Sequence, residues 1–192
     1  MPKKSSKAYA ARLEIDYPDS LNRLTTIFRL ILIIPIAVIA NLLSSGLSFA
    51  TLVMIVFRVK YPRWWFDFAR ELERFNMRVC AYAALLTDSY PSTTKDQAVH
   101  LDIDYPDVEK DLNRLLPLVK WLLAIPHYVI LAVLGFFALF AIVIAWFAIL
   151  ITGRYPKGLF NFVVGILRWS LRVRAYAYLL VTDQYPPFGM NS

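Results

Sequence analysis

Charged side chains are missing from two long stretches of this chain. No Asp, Glu, Lys or Arg occurs from Leu30 to Phe57 or from Trp121 to Gly153, so the 21 basic and 14 acidic residues all lie outside these windows. Hydrophobic residues make up 58% of the chain and charged residues only 18%, which is a poor composition for a water-soluble core. Because a helix that crosses a bilayer needs about 20 apolar residues, we expect membrane-embedded helices, and the run Leu131 to Thr152 is long enough by itself.

Residue patterns that support catalysis or metal binding are also missing. The single Cys80 excludes an internal disulfide, and no phosphate-binding glycine loop, dinucleotide fingerprint or zinc spacing occurs in the sequence. The acidic residues between Asp102 and Asp111 lack the glycine and the distal glutamate of a calcium loop. We therefore expect a protein that is not an enzyme and that holds no metal ion or cofactor.

An internal repeat organises the rest of the chain. Residues 13–19, LEIDYPD, recur as LDIDYPD at 101–107, and the Leu-Asn-Arg-Leu motif that follows also recurs. The correspondence continues in order to Thr-Asp-Ser-Tyr-Pro at 87–91, which returns as Thr-Asp-Gln-Tyr-Pro at 182–186. This self-similarity predicts two tandem units of about 90 residues.

Each unit has the same predicted order of elements. A short alternating strand is followed by a Pro-Asp turn, a long apolar stretch interpreted as a transmembrane helical hairpin, and an interfacial amphipathic helix. The expected fold class is therefore mainly α and integral membrane, with short cytoplasmic strands that could pair with each other. The predicted boundaries are a disordered basic N-terminus at 1–11, unit 1 at 12–91 with its hairpin at about 24–58 and its amphipathic helix at about 62–87, a linker at 92–98, unit 2 at 99–187 with its hairpin at about 115–152 and its amphipathic helix at about 156–181, and a tail at 188–192.

The positions of the basic residues predict a topology. If each unit crossed the membrane once, the basic region between Arg58 and Lys120 would face outward, against the bias of basic loops toward the cytoplasm. Hairpins keep every basic residue inside. We therefore expect four membrane helices, with a turn at Asn41 to Ser48 in unit 1 and near Gly135 in unit 2. Both termini would be cytoplasmic, and the two units would be parallel, related by an axis near the membrane normal.

The two amphipathic helices carry most of the candidate site residues. Polar residues recur on one face at steps of three and four, opposite a stripe of aromatic and aliphatic residues. Arginine beside aromatic rings suits an interfacial helix, because guanidinium groups bind lipid phosphates in a forked geometry. The alternative is that these arginines form ion pairs with Glu71, Asp16 or Asp104. The candidate headgroup contacts are Arg70, Arg74, Arg78, Arg168 and Arg172, together with Arg23 and Arg114 where the first helix of each unit begins. For the last two, helix entry and snorkelling are the favoured interpretation.

His127 is a readily ionisable side chain inside an apolar window, and such a residue raises the question of function. Its counterpart in unit 1 is Ile36, and no second histidine or Ser-His-Asp set lies near it in the sequence. We expect a neutral, hydrogen-bonded structural histidine within the membrane.

Unit 2 resembles a known family. Its runs IPHYVILAVLGFF and WFAILITGRYPKGLFNFVVGILRWSLRVRAYAYLLVTDQYPPF are similar to the bacterial membrane-protein family called domain of unknown function 4389. Unit 1 is a looser copy, with FRVK before Tyr61 where unit 2 has ITGR, and with Asp67 in place of Asn161. The resemblance implies a bacterial cytoplasmic (inner) membrane protein with two tandem copies, and it brings no catalytic residue with it.

These observations favour a non-enzymatic scaffold or accessory subunit of a membrane complex. We expect a multi-pass protein that contacts anionic lipid headgroups and forms a homo-oligomer or joins other membrane-protein subunits. Nucleic acid is not an expected partner, because the basic residues alternate with aromatic residues beside apolar segments. The alternatives are a lipid-handling or transport protein that uses kinked hairpins and arginine stripes, and a membrane-embedded enzyme that depends on His127.

Overall fold

The fold is mainly helical and contains one small sheet. The computed structural model of the chain describes residues 9–44, 46–58, 60–107 and 112–190. The predicted disordered N-terminus lies mostly outside the described residues, as does the end of the tail. In chain order the elements are β1 (Ala11–Ile15), α1 (Arg23–Ser44), α2 (Leu47–Arg58), α3 (Arg63–Ala83), β2 (Val99–Ile103), α4 (Pro117–Leu123), α5 (Ile125–Thr152) and α6 (Lys157–Ala177). The two amphipathic helices α3 and α6 occupy the segments in which they were predicted.

Repeated polar residues set several helix ends. The Asn22 side-chain oxygen accepts a hydrogen bond of 2.9 Å from the Leu24 N–H, and Asn113 repeats this contact at 2.9 Å with Leu115. In unit 1 this bond satisfies an N–H group that the first turn of α1 leaves without a partner. In unit 2 the same contact lies before the helix, because α4 begins only at Pro117. At the other end of the second apolar segment, Gly153 has φ 73° and ends α5, a conformation that glycine adopts without strain. The Leu-Asn-Arg-Leu motif thus starts a helix in unit 1, whereas in unit 2 it lies just before one.

The two strands pair with each other, which was one possibility that the sequence left open. They are antiparallel, with Leu13 opposite Leu101 and Arg12 opposite Asp102. Leu13 is 1% exposed and Leu101 is 5% exposed, so both side chains point into the core. The charged row lies on the opposite face, because successive strand residues point to opposite sides of a sheet. One face of the sheet is therefore packed and the other is polar.

The sheet, the amphipathic helices and the apolar helices form three layers. Helix α3 packs on β2 and α6 packs on β1, so each amphipathic helix covers the strand of the other unit. On their other side, α3 packs on α1 and α6 packs on α5 of the same unit. The amphipathic helices are thus the middle layer, between the sheet and the apolar helices.

Helices α1 and α2 do not form the predicted hairpin in unit 1. Their contacts with the antiparallel helix α3 are, in chain order, Arg29 over the ring of Tyr82, Ser44 with Asn76, and Thr51 with Trp65. The residue number of the α3 partner thus decreases steadily along α1 and α2. A hairpin turn at Asn41 to Ser48 would reverse the direction of the chain along α3, so these residue numbers would increase again in α2. Gly46, with φ 85°, therefore produces a bend in one continuing path.

The second predicted hairpin is also corrected by the structure. Helix α5 runs without interruption from Ile125 to Thr152, and Gly135 lies inside it. A lone glycine costs about 1 kcal/mol in a helix, and that is too little to break a helix in apolar surroundings, where an unpaired backbone group costs more. Among the described residues, two segments are long and apolar enough to cross a membrane, Ile31–Arg58 and Ile125–Thr152. Four membrane helices were predicted.

The two apolar segments run antiparallel to each other. The start of α1 meets the end of α5, where the Leu21 N–H donates to the Gly153 carbonyl at 2.9 Å. The start of the apolar segment of unit 2 meets the end of α2, where Arg114 Nε donates to the Val56 carbonyl at 2.6 Å. The start of each apolar segment thus contacts the end of the other segment. Such a reciprocal arrangement is the property of two units related by a twofold axis.

Candidate membrane-binding surface

Exposed hydrophobic side chains cover the outer layer of the molecule. On α5 they recur along almost the whole helix, and Phe136 and Phe140 are 57% and 55% exposed. Water-soluble monomers rarely expose a continuous apolar area of this extent, and larger patches mark membrane or protein contacts. We call the following set the apolar face: Leu24, Ile27, Phe28, Ile31, Leu32, Ile34, Val38, Ile39, Leu42, Leu43, Phe49 and Phe57 of unit 1, and Leu115, Leu118, Val119, Trp121, Leu122, Leu123, Ile125, Val129, Ile130, Val133, Phe136, Phe137, Leu139, Phe140, Val143, Ile144, Phe147 and Ile151 of unit 2.

Basic side chains stand at both ends of the apolar face. Arg23 donates a hydrogen bond of 3.0 Å to the Ile151 carbonyl at the end of α5, and Arg114 donates to Val56 near the end of α2. Both arginines are exposed. A cation at a helix C-terminus compensates the partial negative charge of the last carbonyls. Each arginine thus lies at the start of one apolar segment and contacts the end of the other.

A buried cation site in unit 1 was not identified from the sequence. Arg29 is 1% exposed and donates to the Thr87 carbonyl at 3.0 Å and to the Asp88 carboxylate. The Asp88 carboxylate also accepts the Asn22 N–H at 2.6 Å, so it joins the helix start to the loop after α3. The guanidinium lies 4.7 Å from the centre of the Tyr82 ring.

Unit 2 contains the equivalent site with a lysine. Lys120 is 0% exposed, and its ammonium lies 2.7 Å from both the Thr182 carbonyl and Asp183 Oδ1. Burial lowers the pKa of Lys120 from its ordinary value, and the Asp183 carboxylate partly offsets this. Asp183 accepts the Asn113 N–H at 2.5 Å, just as Asp88 accepts Asn22. The signal that could have revealed both sites is the repeated Thr-Asp-x-Tyr-Pro segment together with a repeated cation at positions 29 and 120.

Two of the predicted headgroup arginines instead join the middle layer to the sheet. Arg74 of α3 donates to the Leu101 carbonyl at 3.3 Å and to Glu71 at 2.5 Å. Arg168 of α6 donates to the Leu13 carbonyl at 3.0 Å. Both arginines therefore bind the strand of the other unit, and Arg74 has the acidic partner that the alternative interpretation named.

Arg78 and Arg172 are buried, which corrects part of the site prediction. Arg78 is 7% exposed and donates to the Ser92 carbonyl at 2.5 Å, and Arg172 is 0% exposed and donates to the Gly189 carbonyl. Burial is the main cause that lowers the pKa of each of these two arginines. A fully buried guanidinium cannot reach a headgroup, so the contact predicted for Arg172 is wrong in this fold. The burial of these arginines could not be predicted from the helix pattern, because the residues that cover them belong to the segments that follow each amphipathic helix.

Arg70 is partly exposed but pairs with acidic neighbours on the same helix. Its guanidinium lies 3.5 Å from Asp67 and 3.3 Å from Glu71. Arg74 and Arg78 line a cavity of about 440 Å³ together with residues of β2. The polar side of α3 therefore faces toward the sheet, away from the apolar face.

His127 is packed among aromatic rings at the start of α5. It is 0% exposed, its Nδ1 accepts the Trp169 Nε1–H at 3.0 Å, and its ring stacks on Phe188 with centroids 4.1 Å apart. Because Nδ1 accepts this hydrogen bond, it carries no proton. The structural, hydrogen-bonded histidine expected from the sequence is what these contacts describe.

A cavity with a mixed polar and apolar lining lies beside the bend at Gly46. Its volume is about 480 Å³, and it is lined by residues of α1, α2, α3 and the end of α6. Asn76 donates to Ser44 at 2.9 Å, and the Arg174 guanidinium lies 2.7 Å from Glu73, whose side chain is 3% exposed. Among the described residues, no group of His, Cys, Asp and Glu could hold a metal ion.

Comparison with known proteins gives one result. The family model described as Domain of unknown function (DUF4389) matches the chain twice, over residues 23–95 and 116–189. The two matches coincide with the two units of the repeat. No curated protein and no solved structure matches the chain significantly.

Proposed function

We propose, from the premise that the chain belongs to the DUF4389 family, that it is a non-enzymatic membrane protein that acts as a scaffold or accessory subunit and contacts anionic lipid headgroups. The description of the family carries no activity, so the proposal depends on the surface of the molecule. We also propose the bacterial cytoplasmic membrane as its location, with both termini on the cytoplasmic side.

The observation that carries the proposal is the apolar face with basic residues at both of its ends. Burying exposed apolar surface is favourable by about 25 cal/mol per Å², and a membrane or a partner within a membrane can cover this area. Arg23 and Arg114 then lie near headgroup depth, where each basic residue adds about 1 kcal/mol of attraction to anionic lipid.

The arrangement of polar groups supports a scaffold rather than a catalyst. The buried cations Arg29 and Lys120 are bound to backbone carbonyls and carboxylates that hold the loops of each unit in place. The polar face of the sheet carries Arg12, Asp102 and Asp104 in an exposed ion-pair network. That face is open to water and is available to another subunit.

One purification tests this proposal. The protein is extracted from washed membranes in a mild detergent, and the lipids and proteins that stay bound are identified by native mass spectrometry. We expect membrane association that survives an alkaline wash, an assembly larger than the monomer, and bound acidic phospholipid. The amount of acidic lipid bound to the variant R23Q/R114Q should be lower than that bound to the wild type by a factor of about ten or more, since two basic contacts of about 1 kcal/mol each are lost.

R70Q is the matched control, because Arg70 is partly exposed but pairs with Asp67 and Glu71 on its own helix. It should retain acidic lipid like the wild type. A strictly monomeric protein without a bound partner contradicts the scaffold, and equal lipid retention by R23Q/R114Q contradicts the headgroup contacts.

The cavity beside Gly46 favours lipid handling as a second candidate function. Its volume of about 480 Å³ and its mixed lining of Asn76, Glu73 and Arg174 suit a small zwitterionic group at the edge of an apolar layer. The same purification separates the two candidates. A monomer that carries one defined lipid in a fixed ratio favours lipid handling, and an assembly with variable lipid favours the scaffold.

A further inference from the structure

We propose that the protein lies in a single leaflet of an anionic membrane and does not cross it. Its pseudo-twofold axis then points along the membrane normal, the helices α1, α2 and α5 lie parallel to the membrane surface, and the sheet faces water. This inference rests on the proposed function, because it takes the apolar face as the surface that meets lipid.

The direction of the twofold axis follows from the sheet. Leu13 and Leu101 are directly opposite in an antiparallel pair, and both side chains point into the core. A rotation that exchanges two antiparallel strands and keeps the same face inward has its axis perpendicular to the sheet. The equivalent bonds from Arg168 to Leu13 and from Arg74 to Leu101 obey this exchange. The axis therefore passes from the sheet through the α3 and α6 layer.

The same axis fixes how the apolar helices lie. Helix α1 and helix α5 both pack on the side of the middle layer that is opposite to the sheet. They are antiparallel, since Leu21 meets Gly153 and Arg114 meets Val56. A twofold rotation reverses only directions that are perpendicular to its axis. Two antiparallel helices that are exchanged by the axis must therefore lie roughly perpendicular to it. The outer layer is thus a slab of helices with the polar sheet on the far side.

A membrane-crossing orientation would place charges in the hydrocarbon. If α5 stood along the membrane normal, the axis would lie in the membrane plane and the sheet would sit at mid-depth. The exposed charges Arg12, Asp102 and Asp104 on the sheet would then be surrounded by lipid, at high cost for each of them. The one-leaflet orientation leaves all three in water.

The dimensions and the basic residues agree with the one-leaflet orientation. A helix with its side chains is about 10–12 Å across, and one leaflet of the hydrocarbon core is about 15 Å thick, so a single layer of helices fits. The exposed residues Arg23, Arg58, Arg114 and Arg154 lie at the two ends of the antiparallel helices. A crossing would divide these four between the two sides of the membrane. In one leaflet all four face the same headgroup layer, as the cytoplasmic bias of basic residues requires.

Side-specific labelling of the full-length protein in its membrane tests the proposal. Cys80 is the single cysteine and is first replaced by serine. Single cysteines are then placed by Lys60→Cys after α2, Arg154→Cys after α5 and Glu14→Cys on the polar face of the sheet, three positions that are exposed. Intact cells and inside-out vesicles are treated with a maleimide that does not cross membranes.

We expect all three cysteines to react from the same side, so that labelling of all three is lost together when the reagent is confined to the other side. Reaction of K60C and R154C from opposite sides overturns the proposal, because it means that the helices cross. Release of the unlabelled protein by an alkaline membrane wash would instead contradict the proposed function. The two failures are therefore distinguishable.

Discussion

Two buried cations hold equivalent places at the residue scale. Arg29 and Lys120 each bind a backbone carbonyl and an aspartate from the loop that follows the amphipathic helix of their unit. A buried charge stays charged only where partners compensate the lost hydration. The aspartates also accept the N–H of Asn22 or Asn113, so each one joins the segment before the apolar helices to the buried cation.

Replacing Asp183 should therefore destabilise the protein. We expect D183N to lose about 2–4 kcal/mol of stability, because it leaves Lys120 buried with a weaker partner. The neutral amide also removes the group that raises the pKa of Lys120, so that pKa falls further below 10.5. Between the lowered value and 10.5 the unfolded state binds more protons, so the stability of D183N should rise with pH in that range. Denaturant titration in detergent at several pH values measures both effects.

D102N provides the control for this measurement. The Asp102 side chain is 68% exposed, and a surface ion pair contributes about 0–1 kcal/mol. Equal losses for D183N and D102N would contradict the role assigned to the buried lysine. In the double variant K120M/D183N, the loss should be smaller than the sum of the two single losses, because the two residues interact directly.

Two glycines decide the shape of the apolar helices at the element scale. Gly135 lies inside α5 with open space where a side chain would begin, and Gly46 lies at the bend between α1 and α2 with φ 85° and equally open space. The same substitution therefore meets no steric obstacle at either position. The two positions differ in backbone conformation, because Gly46 has a positive φ and Gly135 is helical.

Changing each glycine to alanine should have opposite effects. G135A should stabilise the protein by up to about 1 kcal/mol, because alanine is the better helix former. G46A should destabilise it by about 1–2 kcal/mol, because an L-residue is strained in the left-handed region. Thermal unfolding of both variants in the same detergent compares them directly. Loss of stability in G135A would point back to the hairpin turn that the sequence suggested.

The two units are interdigitated at the scale of the whole molecule. Strand β1 of unit 1 is covered by α6 of unit 2, and β2 of unit 2 is covered by α3 of unit 1. An ion pair between Glu73 and Arg174 and the bond from the Tyr61 hydroxyl to the Leu179 carbonyl at 3.1 Å add further links. Neither unit alone has a complete core, because the strand of each unit is covered by the amphipathic helix of the other. The two units have the same order of elements, so a second copy of one unit could take the place of the other.

Separated units should therefore associate. A chain cut between residues 95 and 96, expressed as two fragments with a tag on one, should purify as a complex of both. Either fragment alone should form dimers or aggregate, since its strand and amphipathic helix need a counterpart. L13D should abolish the complex, because Leu13 is 1% exposed in the core, whereas E14Q on the polar face should not. A fragment that purified alone as a folded monomer would contradict this account.

Several features of the fold and the candidate surface were accessible from the sequence because they are local. Apolar alternation placed both strands, helical periodicity placed α3 and α6, and Asn22 marked the start of α1. The matching prediction for Asn113 is wrong, because α4 begins only at Pro117. The presence of two segments that are long and apolar enough to cross a membrane is also a property of composition. Arg23 and Arg114, which the sequence named as candidate headgroup contacts, are exposed at the ends of the apolar face.

Other features could not be predicted because they depend on contacts between distant parts of the chain. The apolar run around Gly135 is compatible with a turn or with one helix, and neighbouring residues do not choose between them. Arg172 belongs to a polar stripe, yet the segment containing Gly189 folds back over it and buries it. Its local pattern is that of an exposed residue.

The sequence by itself determined that this protein has two similar units and two long apolar segments with basic residues at their ends, because composition and repetition do not depend on how the chain folds. Only the tertiary structure decided the orientation of those units. The antiparallel pairing of Leu13 with Leu101 and the covering of each strand by the other unit's helix fix the twofold axis. That axis, and with it the way the apolar helices can meet a membrane, arises from pairings between the units that no single segment encodes.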